Sequence, residues 1–462
     1  MKFLAVSALS LSSAAAVAVV QHSSRELAMM ENRMGSLMNL KSSHFDKKQA
    51  AGVFDNDKYK AMGSTPCKDG KAGEYSCENV DLKAFIPHGD MGSQTRAGND
   101  IWGWTSDDGR EFAIVGQTDG TAFVEITRNG SLKFTGRLPT QTENAIWRDM
   151  KVIGHHVYIG SESKDHGMQI FDLNKLLEIR NGSKTFDTKT DLTALYTGFG
   201  SSHNIIADPE TNTIFAVGAT PGAACNNSNS GLIMLDVKDP SKPQLLGCAG
   251  DDGYVHDAQC MVYRGIDKRY ENHHICIAFD ESKLAIFDVT DKKKPAVLSR
   301  TFYDGFNGKG AYTHQGWTID EDMKYLLLDD ELDEQMRRNA TQDTHTTTYI
   351  FDLSDLTAPK WTGQYKSPVQ SIDHNQYVLN GVSYQANYAS GLRVVDVSGV
   401  AKDPTGKNMK ELGHFDCYPE DDKDPQPEFN GAWSVYPWFK SGTVILNCIE
   451  RGMFALKVNT GK

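Results

Sequence analysis

The sequence predicts an all-β fold: a seven-bladed β-propeller of four-stranded blades, closed by an N-terminal strand. Three observations predict it. A short run of alternating apolar residues, ending near an acidic or charged residue, occurs seven times in the 462 residues. Its copies recur every 44 to 64 residues, enough for four short strands each. The 41 glycines against 15 prolines, with 10% aromatic residues, suit many strands joined by tight turns.

The elements follow in chain order. Residues 1–20 read MKFLAVSALSLSSAAAVAVV, one Lys followed by an apolar stretch and a small-residue exit at Ala16-Val17-Ala18. This has the form of a secretory signal peptide, assigned to 1–18, and is too short and too weakly flanked for a stable membrane span. Residues 19–66 are polar and Met-rich and read as a linker or pro-segment. Within it Leu27, Met30, Met34, Leu37 and Leu40 recur at helical spacing, so a helix over 25–41 docking on the main domain is the alternative. The propeller is assigned to 67–462.

The seven repeats are 123–126 (FVEI), 168–173 (MQIFDL), 232–237 (LIMLDV), 284–289 (LAIFDV), 348–353 (TYIFDL), 392–397 (LRVVDV) and 453–458 (MFALKV). A second strand precedes each copy, as at 112–116 (FAIVG) and 214–218 (IFAVG). A fourth follows several copies after an Asp-x-x-x-Pro turn, as in 236–247 (DVKDPSKPQLLG). The last copy ends four residues before the C-terminus, leaving the seventh unit without an outer strand. The stretch 80–87 (VDLKAFIP) has the composition to supply it, which would remove two exposed sheet edges. A β-helix or open solenoid is the rival, with shorter repeats. Asp172, Asp236, Asp288, Asp352 and Asp396 recur with the turn chemistry and read as structural.

Eight cysteines fall as neighbours, 67 with 77, 225 with 248, 260 with 276 and 417 with 448, and four disulfides in that order are expected. No CxxC pair suggests a zinc knuckle or redox motif. Sequons at Asn129, Asn181, Asn226 and Asn339 lie in polar, turn-like stretches and suit a secreted glycoprotein. No later run is long and apolar enough to span a membrane, and no hydrophobic C-terminal tail signals a lipid anchor. A net charge of −12 argues against a basic face for nucleic acid.

Longer motifs carry a family resemblance. They are 72–82 (AGEYSCENVDL), 102–116 (WGWTSDDGREFAIVG), 147–152 (WRDMKV), 251–260 (DDGYVHDAQC), 312–317 (YTHQGW), 328–334 (LDDELDE) and 429–437 (FNGAWSVYP). With the repeated L-x-I-x-D unit, they resemble the LVIVD-repeat and choice-of-anchor B group of secreted or surface propeller-like proteins, over about 70 to 460. The resemblance implies an extracellular propeller and little about activity. Some members end in surface anchors, and this chain shows none, which favours release over attachment.

Candidate site residues stand where each unit's first strand begins: Trp102, Trp147-Arg148-Asp149, His203-Asn204, His256-Asp257, His314-Gln315, His374-Asn375 and Trp433, at intervals of 45 to 60. In a propeller the first strands line a central channel, so these side chains are expected to converge at one mouth. His203, His256, His314 and His374 are the candidate metal ligands. A rim of carboxylates is expected at the second-strand ends, including Glu162, Glu281, Asp329, Asp330, Glu331 and Glu450. His256 or His314 could serve as a general base and Arg148 could neutralise a substrate carboxylate. Trp102, Trp104, Trp317, Trp433 and Tyr436 could stack on sugar rings. The bland reading is that histidines at strand starts lock neighbouring blades together. The run 329–334 (DDELDE) reads as a solvated loop. No G-x-S-x-G, H-E-x-x-H, P-loop or Rossmann fingerprint appears in the required context.

The expectation is an extracellular propeller binding a carbohydrate or small polar ligand at a His-lined mouth, with a divalent metal as a possible cofactor. A polysaccharide lyase or hydrolase in the same pocket is the enzyme alternative, and a protein-interaction scaffold the third.

Overall fold

The computed structural model describes residues 33–55, 58–220, 225, 231–305, 310–340 and 343–461. The expected signal peptide, and residues 25–32 of the expected helix, lie outside these. So does the sequon at Asn226.

Seven sheets, antiparallel but for a short parallel edge pair of Lys184–Thr185 with Leu132–Pro139, are arranged as blades around a channel. The first strands, blade 1 to blade 7, are Gly98–Thr105, Arg148–Ile153, Asn204–Asp208, Asp257–Val262, Thr313–Thr318, Gln376–Leu379 and Ala432–Tyr436. Each is followed outward by a second and a third strand, and the seven repeats of the sequence are the seven third strands. Second strands such as Glu111–Gln117, Tyr325–Asp330 and Thr443–Cys448 are buried along their whole length. A blade packs on both faces against its neighbours, so these strands read as near-continuous apolar runs. The recurrent aspartates close turns: Asp172, Asp236, Asp288, Asp352 and Asp396 each accept a hydrogen bond from the backbone N–H two residues on, at 2.8–3.0 Å.

Val80–Pro87 is the outer strand of blade 7, paired antiparallel with Gly452–Val458. Phe85 stacks on Phe454 with ring centroids 4.4 Å apart, and Tyr75 from the edge of blade 6 meets Phe454 at 5.1 Å. The closing strand and the last strand of the propeller are thereby held in one apolar cluster, and no blade is left with an unpaired third strand. The four expected disulfides are all formed. Among the described residues no helix is long and apolar enough to cross a membrane.

Helix α1 (Arg33–Ala50) lies across one end of the channel, in place of a structureless linker. Its buried side chains are Met34, Leu37, Lys41 and Lys48, at the i, i+3, i+7 spacing of one helical face. The expected apolar stripe thus holds at Met34 and Leu37 but fails at Leu40, which is 46% exposed. Two lysines continue the buried face instead, because carboxylates await them. A turn at Gly52, with φ of 72°, ends the helix: the Val53 N–H reaches back to the Lys48 carbonyl.

Candidate functional site: two mouths of one channel

At the end where the first strands begin, His203, His256, His314 and His374 from blades 3 to 6 form a continuous arc. Successive ring centroids are 4.3, 4.3 and 4.2 Å apart. Trp147 precedes the arc at 6.4 Å from His203, and Trp433 follows it at 5.1 Å from His374. Each imidazole is pinned through Nδ1. The acceptors are Glu162 Oε1 for His203 (2.8 Å), the His314 carbonyl for His256 (2.8 Å), Asp329 Oδ1 for His314 (3.2 Å) and the Trp433 carbonyl for His374 (2.5 Å). The two carbonyls can only accept, so His256 and His374 carry the proton on Nδ1 and keep the Nε2 lone pair. Glu162 and Asp329 fix the same tautomer in His203 and His314 when ionised, although burial raises both carboxyl pKa values. Burial pushes all four rings toward the neutral form, His203 and His374 down to about 3.

Above the arc the expected carboxylate rim is present, and α1 is docked on it. Lys41 Nζ sits 2.5 Å from Glu331 Oε1, which also accepts from the Tyr388 hydroxyl at 2.7 Å. The same ammonium lies 5.3–5.7 Å from the ring centres of Tyr388, Phe429 and Trp433. Lys48 pairs with Glu450, and the Met34 N–H donates to Glu281. Burial lowers the Lys41 pKa, and Glu331 opposes that shift. Lys41 in turn helps hold Glu331 down at about 2. The cavity left beneath Lys41 measures about 10 Å³, room for a single water.

This corrects the expected ligand site. The His-lined mouth is shut, and no sugar fits under α1. The candidate residues also do not converge as a set. Asn204 and Asn375 face the small cavity but spend their amide N–H groups on the His256 and Trp433 carbonyls. Arg148 touches the same cavity, while its Nε donates to the Gln117 carbonyl and its charge interacts with Asp119 and Arg137. Of the four proposed metal-ligating histidines, only His314 and His374 converge with a third donor among the described residues, Glu331, all ligand atoms lying within 4.8 Å. The run 329–334 is not a solvated loop: Asp329, Asp330, Glu331, Asp333 and Glu334 are buried, and α2 (Asp333–Ala340) begins within it.

Trp102 is not at this mouth either. Blade 1 has a register irregularity between Gly98 and Ile101, and Gly98, not Trp102, pairs with the end of the second strand. Trp102 therefore lies four residues further along, about 13 Å down the channel.

There it joins a different site. At the opposite end, where the first strands finish, a cavity of about 560 Å³ opens to solvent, lined by Trp102, Trp317, Tyr377, Tyr436 and Trp438. The rings meet edge-on or tilted, with centroids 5.0–5.9 Å apart. Asp257 and Gln315, expected at the His mouth, line this cavity instead. Asp149 lies beneath it: Lys151 Nζ sits 2.6 Å from Asp149 and 3.4 Å from Asp100, with the Trp102 ring centre at 4.6 Å. The pair of carboxylates drives the Lys151 pKa up. Of the two, Asp149 is held low by Lys151 and Asp100 is driven high by burial. Burial raises Asp257 to about 7. Sequence reasoning named Trp102, Trp317 and Tyr436 as sugar-stacking candidates but missed Tyr377, Trp438 and Lys151. Lys151 and Tyr377 stand inside the first strands of blades 2 and 6, and Trp438 lies two residues beyond that of blade 7, so the residues following each strand start were the signal for them.

Compared with known proteins, no family model and no curated sequence matches the chain. Among solved structures, one similar chain is the hydrazine synthase of Kuenenia stuttgartiensis. Its TM-score is 0.42 and its identity 12%, over 64% of this chain and 83% of that one. A likeness of that size carries no argument; the seven-bladed architecture rests on the strand pairing of this chain.

Proposed function

We propose that this chain is an extracellular recognition propeller that binds a carbohydrate, or another small polar ligand with a flat face, at the aromatic mouth. The observation that carries it is the open cavity of about 560 Å³ lined by four Trp and two Tyr residues. Its volume lies in the range of small-ligand sites. Half-buried aromatic rings offer apolar faces to the C–H face of a sugar. Asp257, Gln259, Gln315 and Lys151 supply convergent donors and acceptors for hydroxyl groups. Four disulfides, the sequence of the first twenty residues and the resemblance to secreted LVIVD-repeat proteins support an extracellular setting.

The lyase or hydrolase alternative loses ground. It needs His256 or His314 as base with Arg148 on a substrate carboxylate, and the cavity they share holds about 10 Å³.

The test is a titration of neutral tetrasaccharides (cello-, chito-, xylo- and malto-series), followed by intrinsic tryptophan fluorescence. At least one should shift the emission saturably, and Trp102→Ala with Trp317→Ala should abolish that response in a folded protein. No response to any of the four, or a response unchanged in the double variant, contradicts the proposal.

A further inference from the structure

We propose that His314, His374 and Glu331 form a binding site for a divalent transition-metal ion, which Lys41 of helix α1 keeps closed by placing its ammonium group where the metal would bind.

The donor set suits such an ion. Two imidazoles and a carboxylate favour zinc and its neighbours, and three protein ligands leave one position open. His374 Nε2 lies 3.5 Å from Glu331 Oε1, and His314 Nε2 lies 3.9 Å from Glu331 Oε2. Glu331 Oε2 is buried and has no hydrogen-bond partner, so one coordinating oxygen is already uncommitted. The outer shell is in place as well. His314 is oriented by Asp329 and His374 by the Trp433 carbonyl, the arrangement that fixes the tautomer with Nε2 free to ligate. His256, with its ring centre 4.3 Å from that of His314, stands next to the open position.

A cation is already accommodated there. The Lys41 ammonium contacts Glu331 and is surrounded by Tyr388, Phe429 and Trp433. It arrives on a helix outside the blades, held at its other end by the Lys48–Glu450 pair. The ligand atoms spread to 4.8 Å, wider than the ~3.3 Å between ligands of a tetrahedral zinc ion. Movement of Glu331, whose Oε2 is uncommitted, together with small tilts of the two rings about their Nδ1 hydrogen bonds, would close that gap once the ammonium has left.

The experiment compares wild type, Lys41→Ala and Lys41→Gln as full-length chains. Zn²⁺ affinity is measured by competition with a chromophoric chelator, and Co²⁺ geometry by visible absorption. Circular dichroism establishes that each variant is folded. Lys41→Gln keeps a hydrogen bond to Glu331 and covers the case in which Lys41→Ala does not fold. Both variants should bind one Zn²⁺ at least tenfold more tightly than wild type, and Co²⁺ should give the intense bands of a tetrahedral site. Adding His314→Ala and His374→Ala to either variant should remove the gain. Wild-type affinity equal to that of the variants, or a gain that survives loss of both histidines, overturns the proposal.

Discussion

The same seven first strands build both ends of the channel, yet each end treats a buried lysine differently. At the aromatic mouth Lys151 belongs to a first strand and faces two carboxylates, Asp100 and Asp149, which raise its pKa. At the His mouth Lys41 faces one carboxylate, Glu331, and burial lowers its pKa. Lys151 is part of the scaffold. Lys41 rides on a helix that contributes no strand to any blade. The difference teaches that a charge can be buried either as a permanent member of a sheet or as the tip of a separable plug. The first leaves the neighbouring cavity open; the second fills it.

Truncating each lysine breaks this comparison most forcefully. Lys151→Ala leaves Asp100 and Asp149 buried with no cation and should lower global stability by about 3–5 kcal/mol, read from urea unfolding. Lys41→Ala should cost less, because α1 can lift and let water reach Glu331. Hydrogen exchange should then show faster exchange confined to 33–50. Equal losses would mean that α1 is as integral as a blade.

The next effect concerns ligand. Trp102→Ala alone should weaken saccharide binding by about 30-fold, some 2 kcal/mol, since a stacked indole is lost. Leu37→Ala, under the capped mouth, should leave binding unchanged while loosening α1. Titration calorimetry on the two variants distinguishes the mouths.

The remaining effect is a pH dependence at the open mouth. Asp257 faces Lys151, Asp149, Asp329 and Tyr377, and its folded pKa is about 7 against ~4 when unfolded. The folded state therefore binds the extra proton between these values. Stability of wild type relative to Asp257→Asn should fall as pH rises from ~4 to about 7, by at most ~1.4 kcal/mol per unit, and level off above. A difference independent of pH would show that Asp257 stays ionised throughout.

Much of this was legible in the sequence. The recurring third strands and the closing strand Val80–Pro87 follow from periodicity, because an alternating apolar run repeated at a blade-length interval has to bury one face in each blade. The histidine arc was legible too, since equal spacing in a closed ring converts to adjacency in space. The position of Trp102 was not. Spacing alone cannot see that the first strand of blade 1 starts at Gly98, four residues before Trp102, or that an irregularity between Gly98 and Ile101 offsets its pairing by one more residue. Nor could composition show that Lys41 and Lys48 would be buried. Lysine at a helix's inner face makes sense only once Glu331 and Glu450 are known to lie beneath it. The acidic run 329–334 misled for the same reason: its partners, among them Tyr349, Arg337 and Thr347, are distant in sequence or meaningful only in the fold.

The most direct test of the open and closed mouths is a crystal structure of the full-length chain soaked with the tightest-binding tetrasaccharide. The account predicts sugar density against Trp102 and Trp317, with α1 still seated and Lys41 on Glu331. Sugar density beneath a displaced α1, against the histidine arc, would contradict it.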